Sequence, residues 1–184
     1  AVFRQSGLTV RTASISGGRS GRALSIVEDI VSSPVIDGST VYVANGSGRI
    51  TGLNLNSGER LWGKPFGTVG NIWPAGDSLF LVNDLSQLVR MNKDNGDVIW
   101  SVQLPNFVKV NPKKSKEVVA HFGPIIAGSK IVLISSDEKL RVYDPQDGSI
   151  ISKIEIPGGA TSNPVIANNV LYFVSRKGDL HAFR

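Results

Sequence analysis

A repeat of about 40 residues is the feature that most limits what this chain can fold into. Four prolines open the repeat, at intervals of 40, 50 and 40 residues: Pro34, Pro74, Pro124 and Pro164. Each proline precedes a short apolar segment, a turn rich in Gly, Asp, Asn or Ser, and a second apolar segment. Because such turns between apolar segments are typical of β-hairpins, each repeat is predicted to begin with two antiparallel strands.

A second turn follows the third strand of each repeat. In two repeats a glycine in this turn lies four residues before a tryptophan, and the pairs are Gly58 with Trp62 and Gly96 with Trp100. The third repeat keeps Gly148 but has Ser152 in the tryptophan position. The tryptophan falls on a fourth strand, where it is placed to pack between neighbouring sheets. Four short antiparallel strands repeated at this period predict the blades of a β-propeller.

We therefore predict an all-β fold in which residues 1–184 form a single β-propeller domain or half-propeller of about four blades. Helical periodicity is absent, which argues against a solenoid of helix pairs. The predicted units are the outer strand and loop of a preceding blade (1–31), two blades (32–66 and 67–104), a blade with an inserted basic loop (105–156) and an incomplete last blade (157–184).

Composition excludes several kinds of function. The chain has no cysteine, which rules out disulfides, thiolate metal sites and cysteine nucleophiles. No apolar run is long enough to span a bilayer as a helix, and the first residues do not have the pattern of a signal peptide. No Gly-x-Ser-x-Gly or phosphate-loop motif occurs.

The net charge of +5 is concentrated in two segments, residues 16–25 and 105–118. The basic side chains singled out as contacts for anions are Arg19, Arg22, Lys113, Lys114 and Lys116. Their simplest interpretation is solvated side chains on two surface loops. The alternative is a site for phosphate or anionic lipid headgroups, whose affinity would fall steeply with salt. No nucleic-acid partner is expected.

The turn element from Gly52 through Asn54, Ser57 and Gly58 to Trp62 resembles the tryptophan-docking motif of PQQ-type repeats. Three longer segments, 23–34, 67–76 and 177–183, resemble the C-terminal half of the BamB family of outer-membrane assembly factors. The resemblance implies an eight-bladed ring, of which about half is present here. It also implies a lipidated N-terminal cysteine outside this chain, and a periplasmic location at the outer membrane of a Gram-negative bacterium.

The same resemblance implies a non-catalytic scaffold that binds a BamA-like barrel subunit. Unfolded outer-membrane protein clients that pair with free strand edges are a separate expectation. In the family, an acidic Asp-x-Asp ahead of a blade contributes to the subunit contact. The matching position reads Asp29-Ile30-Val31, so the predicted contact rests on Asp29, helped by Glu28. Two half-propellers pairing as a homodimer is a further expectation.

The alternative is a sugar-, quinone- or PQQ-binding propeller of the quinoprotein dehydrogenase type. Such enzymes hold PQQ with calcium and a catalytic aspartate, and often carry a cysteine pair that is absent here. The two histidines, His121 and His181, lie on strands of different repeats and lack metal-ligand spacing. We therefore predict no enzymatic activity, no cofactor and no metal site.

Overall fold

The computed structural model describes residues 12, 32–46, 48–68, 70–107 and 118–184. These residues form four antiparallel sheets, of which three have four strands and the last has three. In each sheet the strands follow one another in chain order. The predicted all-β fold of antiparallel propeller blades is therefore confirmed.

The strand bounds are as follows. The first sheet contains β1 (Val35–Asp37), β2 (Thr40–Asn45), β3 (Arg49–Asn54) and β4 (Arg60–Lys64). The second contains β5 (Trp73–Ala75), β6 (Ser78–Val82), β7 (Gln87–Asn92) and β8 (Val98–Gln103). The third contains β9 (His121–Ala127), β10 (Lys130–Ser135), β11 (Lys139–Tyr143) and β12 (Ile150–Glu155). The last contains β13 (Val165–Ala167), β14 (Val170–Val174) and β15 (Leu180–Phe183).

The turn between the third and fourth strands is built in the same way in the first three sheets. The side-chain oxygen of Asn54 accepts hydrogen bonds from the backbone nitrogens of Asn56 and Ser57, both at 2.8 Å. Asn92 and Asp144 hold the equivalent turns of the next two sheets. Each turn then needs a left-handed residue, which glycine adopts without steric cost. The glycines are Gly58, Gly96 and Gly148, with φ of +72°, +74° and +75°.

Apolar side chains fill the spaces between adjacent sheets. Tyr42 and Trp62 of the first sheet meet Leu79, Leu81 and Met91 of the second. The cluster between the second and third sheets contains Phe80, Leu88, Leu104, Ile131, Leu133 and Tyr143. The cluster between the third and last sheets contains Ile125, Val132, Ile134, Leu140, Ile156, Ala160 and Phe173. Successive side chains of a strand point to opposite faces, so β6 contributes Leu79 and Leu81 to the first of these clusters and Phe80 to the second.

The described residues on either side of the extra segment of the third repeat pair with each other. An isolated bridge pairs Phe107 with Val118, and the backbone nitrogen of Val119 donates to the carbonyl of Asn106 at 3.0 Å. The basic loop predicted between them falls on residues 108–117, which lie outside the described residues. The predicted outer strand of a preceding blade, within 1–31, also lies outside them, apart from Thr12. In the part of the chain that is described, no helix is both long and apolar enough to cross a membrane.

Candidate functional site

Trp62 joins the first sheet to the second through its indole ring. The ring is 8% exposed, and its Nε1 donates a hydrogen bond to the backbone carbonyl of Lys93 at 3.0 Å. Gly96 lies so close beneath the ring that a Cβ there would be 2.6 Å from Trp62 Cε3. On its own sheet, the indole covers Gly52, where an added Cβ would lie 2.7 Å from the ring. Glycines on both sides thus leave the space that the indole fills.

Trp100 repeats this arrangement between the second and third sheets. Its Nε1 donates to the carbonyl of Pro145 at 3.2 Å, and a Cβ at Gly148 would lie 2.8 Å from the ring. Arg90 lies next to Trp100 across the strands and donates to the same carbonyl at 3.1 Å. The outer strand of each of these sheets is therefore fastened to the turn of the following sheet.

The third sheet has no such tryptophan, and a groove of about 740 Å³ lies between it and the last sheet. In the strand register, Ser152 pairs with Val142, as Trp62 pairs with Gly52 and Trp100 with Arg90. The side chains that line the groove are mostly apolar and come largely from the inner strands β9 and β13, with Trp73 of the second sheet, Ile154 and Phe183 beside them. Ser152 is not among the residues that line it.

A buried polar network lies at the start of the third sheet. His121 Nε2 lies 3.0 Å from the carbonyl of Pro105, and Nδ1 lies 2.8 Å from the hydroxyl of Ser135. A carbonyl only accepts, so Nε2 carries the proton and Nδ1 accepts from Ser135. Arg141 donates a hydrogen bond to the hydroxyl of Ser135 at 3.1 Å. Its guanidinium also forms a bidentate ion pair with the carboxylate of Asp137.

Burial is the main cause that lowers the pKa of His121, and the neighbouring Arg141 adds to it. The carbonyl of Pro105 acts in the opposite direction. The imidazole is therefore neutral at pH 7, with both nitrogens engaged in hydrogen bonds. This arrangement fixes the backbone at Pro105, and it engages both ring nitrogens of His121 in hydrogen bonds.

The other histidine does not join this network. His181 lies on β15 and stacks on Phe173, with ring centroids 5.2 Å apart. Among the described residues, no group of three or more His, Asp or Glu side chains could hold a metal ion. The predicted partner-binding residues Asp29 and Glu28 lie outside the described residues. So do the predicted anion contacts, which are Arg19, Arg22, Lys113, Lys114 and Lys116.

Stacked four-stranded antiparallel sheets, joined by tryptophans that dock on the next sheet, define the chain as a β-propeller of PQQ-type repeats. A family model described as outer membrane protein assembly factor BamB matches residues 1–102. The chain belongs to this family.

Individual relatives give the same result. The outer membrane protein assembly factor BamB of Shewanella oneidensis is 24% identical over 181 residues, which cover 97% of this chain and 43% of that protein. The crystal structure of BamB from Moraxella catarrhalis superposes with a TM-score of 0.77 at 20% identity, covering 96% of this chain and 49% of that one. A tetrathionate hydrolase of Acidithiobacillus ferrooxidans is 21% identical over 165 residues, 78% of this chain and 32% of the enzyme. The chain thus spans less than half the length of these relatives.

Proposed function

We propose that this chain is a non-catalytic protein-binding scaffold in the assembly of outer-membrane β-barrel proteins. The observation that carries the proposal is its membership of the BamB family, with relatives of that name matching nearly the whole chain. On this proposal the protein works in the periplasm at the outer membrane. Its partners are a BamA-like barrel subunit and unfolded outer-membrane protein chains.

The architecture supports a scaffold because it holds loops in fixed positions. Two indole rings fasten neighbouring sheets, and the rings are held by backbone carbonyls of the next turn at 3.0 and 3.2 Å. A third contact joins the third sheet to the segment before the last sheet. The side-chain oxygen of Asn163 accepts a hydrogen bond from the backbone nitrogen of Gly123 at 2.9 Å. Loops on such a rigid frame are where binding residues commonly lie.

The proposed contact with the barrel subunit rests on Asp29, helped by Glu28. Two adjacent carboxylates favour a basic surface on the partner, and such charge pairs at an interface mainly raise the association rate. The matching binding experiment uses the full chain and the purified barrel subunit from the same organism. We expect Asp29→Lys to weaken the complex by about tenfold or more, since each 1.4 kcal/mol corresponds to a factor of ten.

Glu59→Lys is the matched control, because Glu59 follows the turn glycine of the first sheet and reverses the same charge elsewhere. Equal affinities for the two variants would show that Asp29 is not the contact. Failure of the unaltered chain to bind the barrel subunit at low and at physiological salt would refute the proposed function.

The enzyme alternative draws support from the tetrathionate hydrolase relative. Titration of the chain with PQQ in excess calcium tests that alternative directly. Saturable binding, seen as quenching of tryptophan fluorescence, would favour an enzyme-derived site over a scaffold. We expect no saturation.

Pairing of two chains into a larger ring is a separate proposal. Among the described residues the last sheet has three strands where the other sheets have four, and Val165 on its inner strand is 64% exposed. Light scattering of the chain should give about twice the chain mass of 19.7 kDa if two copies pair. A mass that stays at one chain across the concentration range would refute the pairing.

A further inference from the structure

The turn between β7 and β8 contains an Asn-Gly pair, Asn95-Gly96. In such a pair the backbone nitrogen of the glycine can reach the asparagine side chain, because glycine has no Cβ in its path. Asn95 is exposed, and its side-chain oxygen accepts a hydrogen bond from the backbone nitrogen of Asp97 at 2.9 Å. That hydrogen bond polarises the side-chain carbonyl and stabilises the negative charge that an attack on its carbon places on the oxygen.

The reaction that this arrangement allows consumes only water. The nitrogen of Gly96 forms a bond to Cγ of Asn95, the bond between Cγ and Nδ2 breaks, and the side-chain nitrogen takes up the amide proton and leaves as ammonia. Water then opens the resulting succinimide at one of its two carbonyls. One opening gives aspartate, and the other gives isoaspartate, in which the main chain runs through Cβ and Cγ. No atom is oxidised or reduced.

The docked indole of Trp62 holds the attacking nitrogen away from the side chain. The nitrogen of Gly96 donates to the carbonyl of Asn92 at 2.9 Å, and a Cβ added at Gly96 would lie 2.6 Å from the indole. The turn must therefore open, and the ring must move, before the nitrogen can approach Asn95. Local openings of this kind have free energies below that of global unfolding. The docking of Trp62 thus controls how often the reaction can begin.

The two products differ in how they fit the turn. The third sheet carries Asp147 at the position of Asn95, and the carboxylate of Asp147 accepts from the backbone nitrogen of Ser149 at 2.8 Å. The glycines that follow have nearly the same φ, +74° at Gly96 and +75° at Gly148. Aspartate therefore fits this turn. Isoaspartate adds a main-chain atom directly before Gly96, where the indole leaves no room.

We propose that Asn95 is a self-modification site, at which isoaspartate forms when the turn opens and then keeps Trp62 from docking on the second sheet. The modification converts a transient opening of the first interface into a lasting one. It needs no enzyme, and its rate is set by the stability of the interface that it disrupts.

The other Asn-Gly pair of the sequence, Asn45-Gly46, provides an internal comparison. Asn45 is 2% exposed, and its side-chain oxygen accepts from the backbone nitrogens of Gly48 and Arg49 at 3.1 and 2.7 Å. Both its burial and these hydrogen bonds hold the side chain away from the nitrogen of Gly46. Asn45 should therefore react much more slowly than Asn95.

Peptide mapping of the full chain tests the proposal after incubation at mildly alkaline pH. Mass spectrometry detects the replacement of the side-chain NH₂ by OH, and isoaspartyl methyltransferase with labelled S-adenosylmethionine detects isoaspartate. We expect Asn95 to react at least about tenfold faster than Asn45, a factor that corresponds to a difference of about 1.4 kcal/mol in the free energy of opening.

Two tryptophan variants test the role of docking. Trp62→Ala should raise the rate at Asn95 by at least about tenfold, since the turn then opens without displacing the ring. Trp100→Ala is the matched control, because it removes the equivalent indole from the second interface and leaves Gly96 covered. The rate at Asn45 reports global unfolding in each variant. If that rate also rises in Trp62→Ala, the milder Trp62→Phe takes its place, with a smaller rise expected at Asn95 alone.

Urea unfolding of the incubated chain tests the consequence. The incubated chain should unfold at lower urea than the fresh chain, whereas Asn95→Asp should match the fresh chain. Conversion of isoaspartate to aspartate by the methyltransferase should restore the original midpoint. Equal rates at Asn95 and Asn45 would overturn the proposal, as would a rate at Asn95 that responds to neither Trp62 variant. So would an isoaspartate-containing chain that is as stable as Asn95→Asp.

Discussion

Replacing Gly96 with alanine tests how the indole of Trp62 docks on the second sheet. The backbone of Gly96 has a φ of +74°, in the left-handed region that costs other residues about 1–2 kcal/mol. The added Cβ would also lie 2.6 Å from Trp62 Cε3 and 3.0 Å from Lys64 Cε. Forcing an extra carbon into a filled interface costs about 1–3 kcal/mol. We therefore expect Gly96→Ala to lower the free energy of unfolding by about 2–5 kcal/mol.

Gly76→Ala is the matched control for this substitution. Gly76 also has a left-handed φ, of +60°, but an added Cβ would meet nothing within 4 Å. Only the backbone cost of about 1–2 kcal/mol therefore applies. The difference between the two variants isolates the contact with the indole.

The assay is urea unfolding followed by circular dichroism, on both variants with and without Trp62→Ala. Trp62→Ala alone should cost about 3–5 kcal/mol, as large-to-small substitutions of buried aromatic residues do. Without the indole, Gly96→Ala should cost no more than Gly76→Ala, because the clash has gone. Equal costs for the two glycine variants in the presence of Trp62, or an unchanged cost of Gly96→Ala without it, would refute the docking argument.

Four further substitutions test the contacts around these sheets, the first three by urea unfolding and the last by the pH dependence of stability. Trp62→Phe keeps a ring but loses the hydrogen bond to a carbonyl, so it should cost about 1–3 kcal/mol, less than Trp62→Ala. Arg141→Ala leaves the carboxylate of Asp137 buried without its partner and should cost about 3–5 kcal/mol. Lys139→Ala removes an exposed ion pair and should change stability by at most about 1 kcal/mol. Burial lowers the pKa of His121 from 6.5, so the unfolded chain binds this proton more readily, and stability should fall as pH drops below about 6.5. His121→Gln should flatten that fall between pH 7 and 5, and an unchanged pH profile would contradict the neutral, buried imidazole.

The repeat could be predicted from the sequence because its signals are local. A proline, a hairpin turn and an Asn or Asp before the turn glycine each act within a few residues. Asn54 shows this, since its side chain bonds to backbone nitrogens two and three positions on. The position of Trp62 four residues beyond Gly58 placed it on the outer strand for the same reason.

The site could not be predicted to the same extent, because its contacts join distant residues. The carbonyl that accepts from Trp62 belongs to Lys93, 31 positions away. The network of His121 depends on Pro105 and Ser135, which come from a loop and another strand. Ser152 stood out in the sequence as a missing tryptophan. Its register with Val142 was needed to show that it occupies the same place on its sheet as Trp62 and Trp100.

The third interface differs from the two before it at the outer strand. Trp62 and Trp100 each reach the turn of the following sheet, whereas the matching position of the third sheet holds Ser152. Ile154 on the same strand is 45% exposed, against 8% for Trp62. The docking contact that fastens the first two interfaces is therefore not repeated at the third, which rests on the apolar cluster around Ile134 and Phe173.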